Sequence, residues 1–245
     1  MLDRVKIVAV YAILAVLLLP CVQAQVRVNV QKDMTIRAGS FFYSVGGVPL
    51  ATTEYFDIVE GSPFFRDEWL SGMVVLNSER NIKNLSLRID LVNNNVHYLD
   101  QFGVEFIAQS QQLKELVLED TVAAKNFRFV YSTSLLPEGP AQKGSWLLWL
   151  VSGKASLYKK LIKTVFEQRK YGSATLEQRV DTKELYVVSL DGKLIPVKKL
   201  KDLPAALPLH KNELAAFIQS DKMAALKNTE DQFAGVIQFY NSIAK

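Results

Sequence analysis

Between Ile82 and Val92 the chain alternates aliphatic and polar residues. Leu85, Leu87, Ile89 and Leu91 fall on one side, and Ser86, Arg88 and Asp90 on the other. Strand side chains point to opposite faces with period two, so this run predicts a strand with one dry face and one wet face. Such a strand belongs to a sheet that buries only one side. Asn93-Asn94-Asn95 follows. These residues tolerate left-handed geometry and predict a tight hairpin turn. Val96 to Asp100 returns, Phe102-Gly103 turns again, and Val104 to Ile107 goes out.

The same style continues downstream. Leu113 to Leu118 and Phe127 to Tyr131 read as strands, and the short spacing between turns predicts an antiparallel meander. Trp146 to Val151 is apolar on both faces, which places it centrally in the sheet. Glu184 to Leu190, Asp191-Gly192 and Lys193 to Val197 form a hairpin pattern, since Asp-Gly fits a type I′ turn. Upstream, Glu54 to Leu76 holds two strands around Gly61-Ser62-Pro63. That tripeptide is a break, because proline lacks a donor and restricts its neighbour.

Two stretches are less clear. In Ala155 to Phe166, Leu157, Leu161 and Val165 recur every fourth residue, as do Tyr158, Ile162 and Phe166. That spacing fits a helix face; read as a strand of the following hairpin system, the stretch would line one edge with its lysines. The lead segment, residues 25–53, has a short strand pattern on Val26, Val28 and Val30. Its Phe41, Phe42 and Tyr43 are expected beneath the sheet, or as a contact patch if exposed.

From Lys198 the pattern becomes helical. Leu200 and Leu203 sit on a short helix expected to stop at Pro204, and Asn212 to Ser220 carries Leu214, Phe217 and Ile218. Thr229-x-x-Gln232 reads as a capping box. Phe233, Val236, Ile237 and Tyr240 then recur at helical spacing and need a surface to cover. The expected class is α+β: an antiparallel β-meander or sandwich-like domain over 54–197, then a small helical domain over 198–245.

The N-terminus predicts export. Arg4 and Lys6 form a basic head, Ile7 to Leu19 is uncharged and apolar, and Val22-Gln23-Ala24 offers a cut between Ala24 and Gln25. These are the parts of a signal peptide over residues 1–24. The apolar run is shorter than the ~20 residues that span a bilayer, and no later run is long enough. Cys21 is the only cysteine and would leave with the signal. Proline before it makes a poor lipidation site. The mature chain therefore has no disulfide and is held by its core.

Few function classes survive. A net charge of +4 is mild and is not a nucleic-acid footprint. His97 and His210 are far apart and no cysteine remains to join them, so no metal and no cofactor is expected. There is no Gly-x-Ser-x-Gly elbow and no phosphate loop. Asp57, Glu60, Asp67, Glu68, Asp90 and Asp100 could supply a carboxylate pair, but so could any surface. Lys193, Lys198, Lys199 and Lys201 form a basic corner that could meet an anionic polymer. Asn84-Leu85-Ser86 is a glycosylation sequon of the kind common by chance. An outer-membrane barrel is disfavoured, because the chain ends in helices rather than a closing strand.

Several motifs resemble a family. Gly61-Ser62-Pro63-Phe64-Phe65, Trp69-Leu70-Ser71-Gly72-Met73-Val74 and Leu87-Arg88-Ile89-Asp90 are similar to its Gly-Ser-Pro-Tyr-Leu, Phe-x-x-Gly and Leu-Arg-Tyr-Asn. Gly153-Lys154-Ala155-Ser156-Leu157-Tyr158 is similar to its middle, and Phe239-Tyr240-Asn241 to its closing Tyr-Tyr-Asn. The family comprises uncharacterised exported proteins of Bacteroidota-type Gram-negative bacteria. Ile89-Asp90 departs from the pattern, and the family carries no activity to transfer. The resemblance implies that Ala155–Phe166 is a long strand paired toward Glu184–Leu190, and that reading is adopted here.

The expectation is an exported, non-enzymatic protein of the periplasm or outer envelope. It would bind a partner protein or an envelope ligand; the alternative is a periplasmic hydrolase using scattered carboxylates. The helical stripe gives a first test. Tyr240→Asp should destabilise the protein by roughly 2–4 kcal/mol in thermal or urea unfolding. An unchanged unfolding curve would mean that the stripe faces water.

Overall fold

The computed structural model describes residues 47–50, 55–135, 144–169, 172 and 175–244. The signal segment with Ala24, Gln25 and Cys21, the Val26–Val30 strand and Phe41, Phe42 and Tyr43 lie outside them. No helix among the described residues is long and apolar enough to cross a membrane.

Twelve strands form one sheet. They are β1 (Gly47–Pro49), β2 (Ile58–Glu60), β3 (Leu70–Leu76), β4 (Asn81–Asp90), β5 (Asn95–Leu99) and β6 (Glu105–Ala108), then β7 (Leu113–Asp120), β8 (Lys125–Tyr131), β9 (Trp146–Val151), β10 (Ala155–Arg169), β11 (Leu176–Leu190) and β12 (Lys193–Val197). The spatial order is β1-β6-β5-β4-β3-β7-β8-β9-β10-β11-β12, with β2 beside β11. β3 to β6 and β7 to β12 each run as an antiparallel meander, but β7 returns beside β3, β1 lies beside β6, and β2 and β11 are parallel, so the sheet is mixed and not one continuous meander. The ladder joins all twelve strands of the described residues into one sheet.

The turns follow local chemistry. Asn94, Asp191 and Gly192 take positive φ, as the hairpin readings require. The stretch read two ways from sequence is the strand β10, paired to β11 from Ala155↔Leu190 to Arg169↔Leu176. A fourfold repeat of apolar residues is also every second residue of one strand face, and fifteen residues of partner strand select that reading over the helix. β9 lies between β8 and β10, with Trp146 and Leu148 in one core cluster and Leu147 in another.

The sheet's inner face has two covers. From β3 to β9, Val74, Leu85, Leu87, Ile89, Leu116, Phe129 and Trp146 belong to one buried cluster that contains no helical residue. Among the described residues, strand side chains and Phe65 pack this core. From β9 to β12 the cover is helical: α1 (Leu203–Ala206), α2 (Lys211–Ile218), α3 (Asp221–Ala224) and α4 (Thr229–Ile243). Phe233, Val236, Ile237 and Tyr240 are all buried, so the predicted stripe faces the sheet. The Phe233 ring stacks on Tyr186 at 4.1 Å between centroids.

Two helix boundaries differ from expectation. Pro204 does not stop a helix; it stands in the first turn of α1, where its missing N–H is unneeded. Thr229 is not the cap of α4. Asn228 is, its Oδ1 accepting the Glu230 N–H at 2.9 Å, while Gln232 Nε2 donates to the Leu226 carbonyl. Asparagine at that site offers the same acceptor as the predicted threonine, one residue earlier.

A strap over residues 55–65 ties distant strands together. β2 lies on β11, and the Phe56 N–H donates to Gln178 Oε1 at 3.1 Å. The chain then reaches β4, where the Phe65 N–H donates to the Ile89 carbonyl and the Leu91 N–H to the Pro63 carbonyl, both at 2.9 Å. Gly61 allows the passage: its φ is +77° and a Cβ there would lie 2.2 Å from the Val180 carbonyl oxygen. The Gly-Ser-Pro break is the turn of this strap from one strand partner to the other.

Asn241 is the corresponding tie for α4. Its Oδ1 accepts the Ala155 N–H at 2.9 Å, and its Nδ2 donates to the Ala155 carbonyl at 2.9 Å. A Cβ on Gly153 would sit 2.2 Å from Nδ2, so the turn before β10 must be glycine. Asn241→Asp replaces that donor with a carboxylate facing a carbonyl. It should lower stability by roughly 2–4 kcal/mol, and Asn241→Ala by about 1–3 kcal/mol. Urea unfolding of both variants checks this; equal midpoints for Asn241→Asp and Asn241→Ala would contradict the donor role.

Candidate functional site

The inner face of β10 runs Ala155, Leu157, Lys159, Leu161, Lys163, Val165. Ala155 and Leu157 lie in the core beneath the helices, and Leu161 packs on the cluster formed by the β3–β9 strands. Lys159 and Lys163 interrupt this row where one cover ends and the other begins. A cleft of about 340 Å³ opens there. Phe65, Phe127, Leu148 and Leu161 give it apolar walls, and Arg66, Lys125, Lys159, Lys163, Glu184 and Glu230 charge it.

The four cations are held differently. Lys159 Nζ lies 2.5 Å from Glu230 and 3.2 Å from Glu184, an ion-paired link between β10, β11 and the first turn of α4. Burial alone would lower its pKa, but hydrogen bonding and attraction from Glu230, then from Glu184, outweigh burial and raise it. Lys163 Nζ donates to the Ser62 and Phe64 carbonyls at 2.7 and 2.5 Å and so fastens the strap. Burial lowers its pKa, against the attraction of Asp67 and Asp90. An ammonium has three donors, so one N–H of Lys163 is not taken by these carbonyls.

Arg66 and Lys125 have no carboxylate within ion-pair distance among the described residues. Both are exposed, and both lie over Phe127, at 5.5 and 5.1 Å from its centroid. Arg66 is also 5.5 Å from the Phe65 centroid. The cleft therefore joins apolar walls to two cations that the fold leaves unneutralised.

The residues singled out from sequence lie elsewhere. His97 is 3% exposed on the other face of β5. Its Nδ1 is 2.6 Å from Glu105 Oε1, which also accepts from Arg88 at 2.9 Å. The Arg88 guanidinium lies 3.7 Å from the Phe64 centroid and 4.5 Å from that of Trp69. His97 Nε2 is buried without a hydrogen-bond partner, so neither ring nitrogen is presented to a substrate. His210 is exposed, 3.4 Å from Glu213 at the start of α2.

The acids are largely engaged in the fold. Asp90, 1% exposed, accepts from Tyr55 Oη at 2.7 Å, from Asn93 Nδ2 at 3.0 Å and from the Val92 and Asn93 N–H groups. Asp100 accepts the Phe102 and Val104 N–H groups at 2.8 Å. Glu60 pairs with Arg179 at 3.5 Å, and Asp67 accepts from the Ser62 hydroxyl. Asp57 and Glu68 are exposed. No group of three metal-ligating side chains occurs among the described residues. Lys193, Lys198, Lys199 and Lys201 are all exposed, as a solvated corner would be, and so is Asn84 of the sequon.

A second hollow, about 520 Å³, lies on the helices, with Phe217, Met223, Leu226 and Phe239 in its wall. It is larger, but its charges, Lys222 and Asp231, are of opposite sign, and nothing in it selects a ligand chemistry. Sequence reading missed the 340 Å³ cleft. The usable signal was two lysines interleaved with aliphatics on one strand face, which is visible only once β10 is known to be a strand. No family model, curated protein or solved structure matches the chain.

The Lys159 link can be tested by removal and repair. Lys159→Met leaves Glu230 and Glu184 without their cation and should cost about 1–3 kcal/mol; adding Glu230→Gln should recover part of it. Because folding raises the Lys159 pKa, its contribution is full below the unfolded lysine value and fades as pH rises through the folded value. The melting-temperature gap between wild type and Lys159→Met should therefore shrink in strongly alkaline buffer. A constant gap would show that the ion pair does not stabilise the fold.

Proposed function

We propose that this is an exported, non-enzymatic protein of the cell envelope that binds an envelope ligand in the cleft between its two cores. The observation that carries this reading is the pair Arg66 and Lys125, held over Phe127 and unmatched by any described carboxylate. A fold gains little from two unneutralised cations at one apolar opening, whereas an anionic ligand gains both charge and contact there. The N-terminal basic head, apolar run and small-residue exit support export. So does the resemblance of the Gly-Ser-Pro and Phe-Tyr-Asn motifs to exported proteins.

A binding role also suits the state of the polar groups. His97 is closed off, Asp90 accepts backbone and side-chain donors on both oxygens, and Asp100 accepts two backbone N–H groups on Oδ1. These groups serve the fold, which favours the binding reading over the hydrolase alternative. The basic corner at Lys193, Lys198, Lys199 and Lys201 remains the second place where an anionic polymer could bind.

In-cell photo-crosslinking separates these readings. A photoreactive phenylalanine analogue is placed at Thr182, an exposed residue that lines the cleft, and, separately, at Lys198, in the full chain at native expression. A small-mass adduct at position 182 alone is the expected result. A protein adduct at 182 would replace the ligand reading with a partner-protein reading. Adducts at 198 alone would move the site to the basic corner.

A further inference from the structure

The cleft's two kinds of wall constrain what can fill it. Its floor is Phe127 and Leu148, each 6% exposed, with Leu161 and Phe65 partly buried beside them. Its rim carries Arg66, Lys125 and the ammonium of Lys163. The two acids of the cleft, Glu184 and Glu230, are both drawn onto Lys159. That leaves Arg66 and Lys125 without an ion-paired carboxylate among the described residues. A polar sugar would leave the phenylalanine and leucine walls poorly used. A neutral hydrocarbon would leave the cations unmatched. Only a molecule with both characters answers both walls.

Size narrows the choice. A cleft of about 340 Å³ lies at the small end of the range for ligand sites. It can hold a head group and a short apolar segment, but not a whole two-chain lipid. The rest of a larger molecule would extend into solvent past the Arg66 and Lys125 rim.

Resting on the reading of the cleft as a ligand site, we infer that its ligand is an anionic amphiphile. A phosphate or carboxylate head would sit between Arg66 and Lys125, with a single apolar chain against Phe127, Leu148 and Leu161. The third Lys163 N–H is available to the same head group. Arg66 offers a planar fork suited to either acid, and Lys125 a point charge. The head group's source, a lipid fragment or a free acyl phosphate or fatty acid, shares this one chemistry.

Calorimetric titration of the mature protein tests the class directly. The probes are octyl phosphate and octanoate, with octyl glucoside as the neutral amphiphile and inorganic phosphate as the head alone. The anionic amphiphiles should bind with dissociation constants below about 1 mM. The glucoside and inorganic phosphate should each bind at least about tenfold more weakly. The double variant Arg66→Ala/Lys125→Ala changes two exposed residues and should fold normally, as its circular dichroism and melting temperature will show. It should weaken octyl phosphate binding by about tenfold or more and flatten the salt dependence. Preference for octanoate over octyl phosphate would point to a fatty acid source, and the reverse to a phosphate-bearing one.

Equal binding of octyl glucoside, equal binding of inorganic phosphate, or unchanged binding by the folded double variant would each overturn the inference. Failure of every probe to bind would overturn it too. In that case a small-mass adduct at position 182 in cells would keep the cleft as a ligand site for another chemical class. No adduct there would end both readings.

Discussion

The twelve-stranded sheet of the described residues buries most of its apolar side chains on one face, with a smaller cluster of Val130, Leu147, Tyr158 and Val187 on the other. The main features of this protein follow from how the larger face is hidden. The helical part is too short to cover the whole sheet. It covers the β9–β12 end, where Leu157, Tyr186 and Val188 meet Phe233, Val236 and Tyr240. Over β3 to β9 the described core is packed by strand side chains, with Phe65 of the strap against it. Two covers of different kind meet along one line, and the line is the cleft. A charged side chain on the inner face of a sheet is costly wherever that face is dry. Lys159 and Lys163 point inward at the one place where neither cover is complete.

The strap and the α4 tie are the fastenings of these two covers. Both consist of polar groups placed against backbone: Lys163 on the Ser62 and Phe64 carbonyls, Asn241 on both backbone groups of Ala155. Both also need a glycine where chains approach closely, Gly61 at Val180 and Gly153 at Asn241. That places the Gly-Ser-Pro, Gly-Lys-Ala-Ser and Phe-Tyr-Asn motifs at points of assembly. These motifs concern holding the covers on the sheet, and the cleft arises as a consequence of where the covers stop.

The β4–β6 meander was legible because its period-two pattern is uninterrupted and its turns use Asn94 and Gly103, which accept positive φ. β10 was not legible locally. Leu157, Leu161 and Val165 satisfy a helix and a strand equally, and only the partner β11 decides between them. The stripe of α4 was legible from spacing, but its cap was placed one residue late, since Asn228 and Thr229 can both supply the oxygen. Pro204 was read as a stop because proline ends helices more visibly in sequence than it begins them. The parallel β2–β11 pair joins residues more than a hundred positions apart, and no local pattern encodes it. The cleft was illegible for the same reason: Arg66, Lys125 and Lys163 come from the strap's exit, β8 and β10.

The distinction between its cations gives the cleft its meaning. Lys159 is compensated by two carboxylates and Lys163 by two carbonyls, so each has a sufficient structural reason to be where it is. Arg66 and Lys125 have no such reason. They are exposed, hold their cationic heads over aromatic rings and pair with no described carboxylate. Removing either would leave no buried charge behind and open no core cavity, so stability does not account for them. What remains is their joint charge at the mouth of a cleft that offers both polar and apolar walls, and two unpaired cations beside such walls are a device for recruiting the opposite charge.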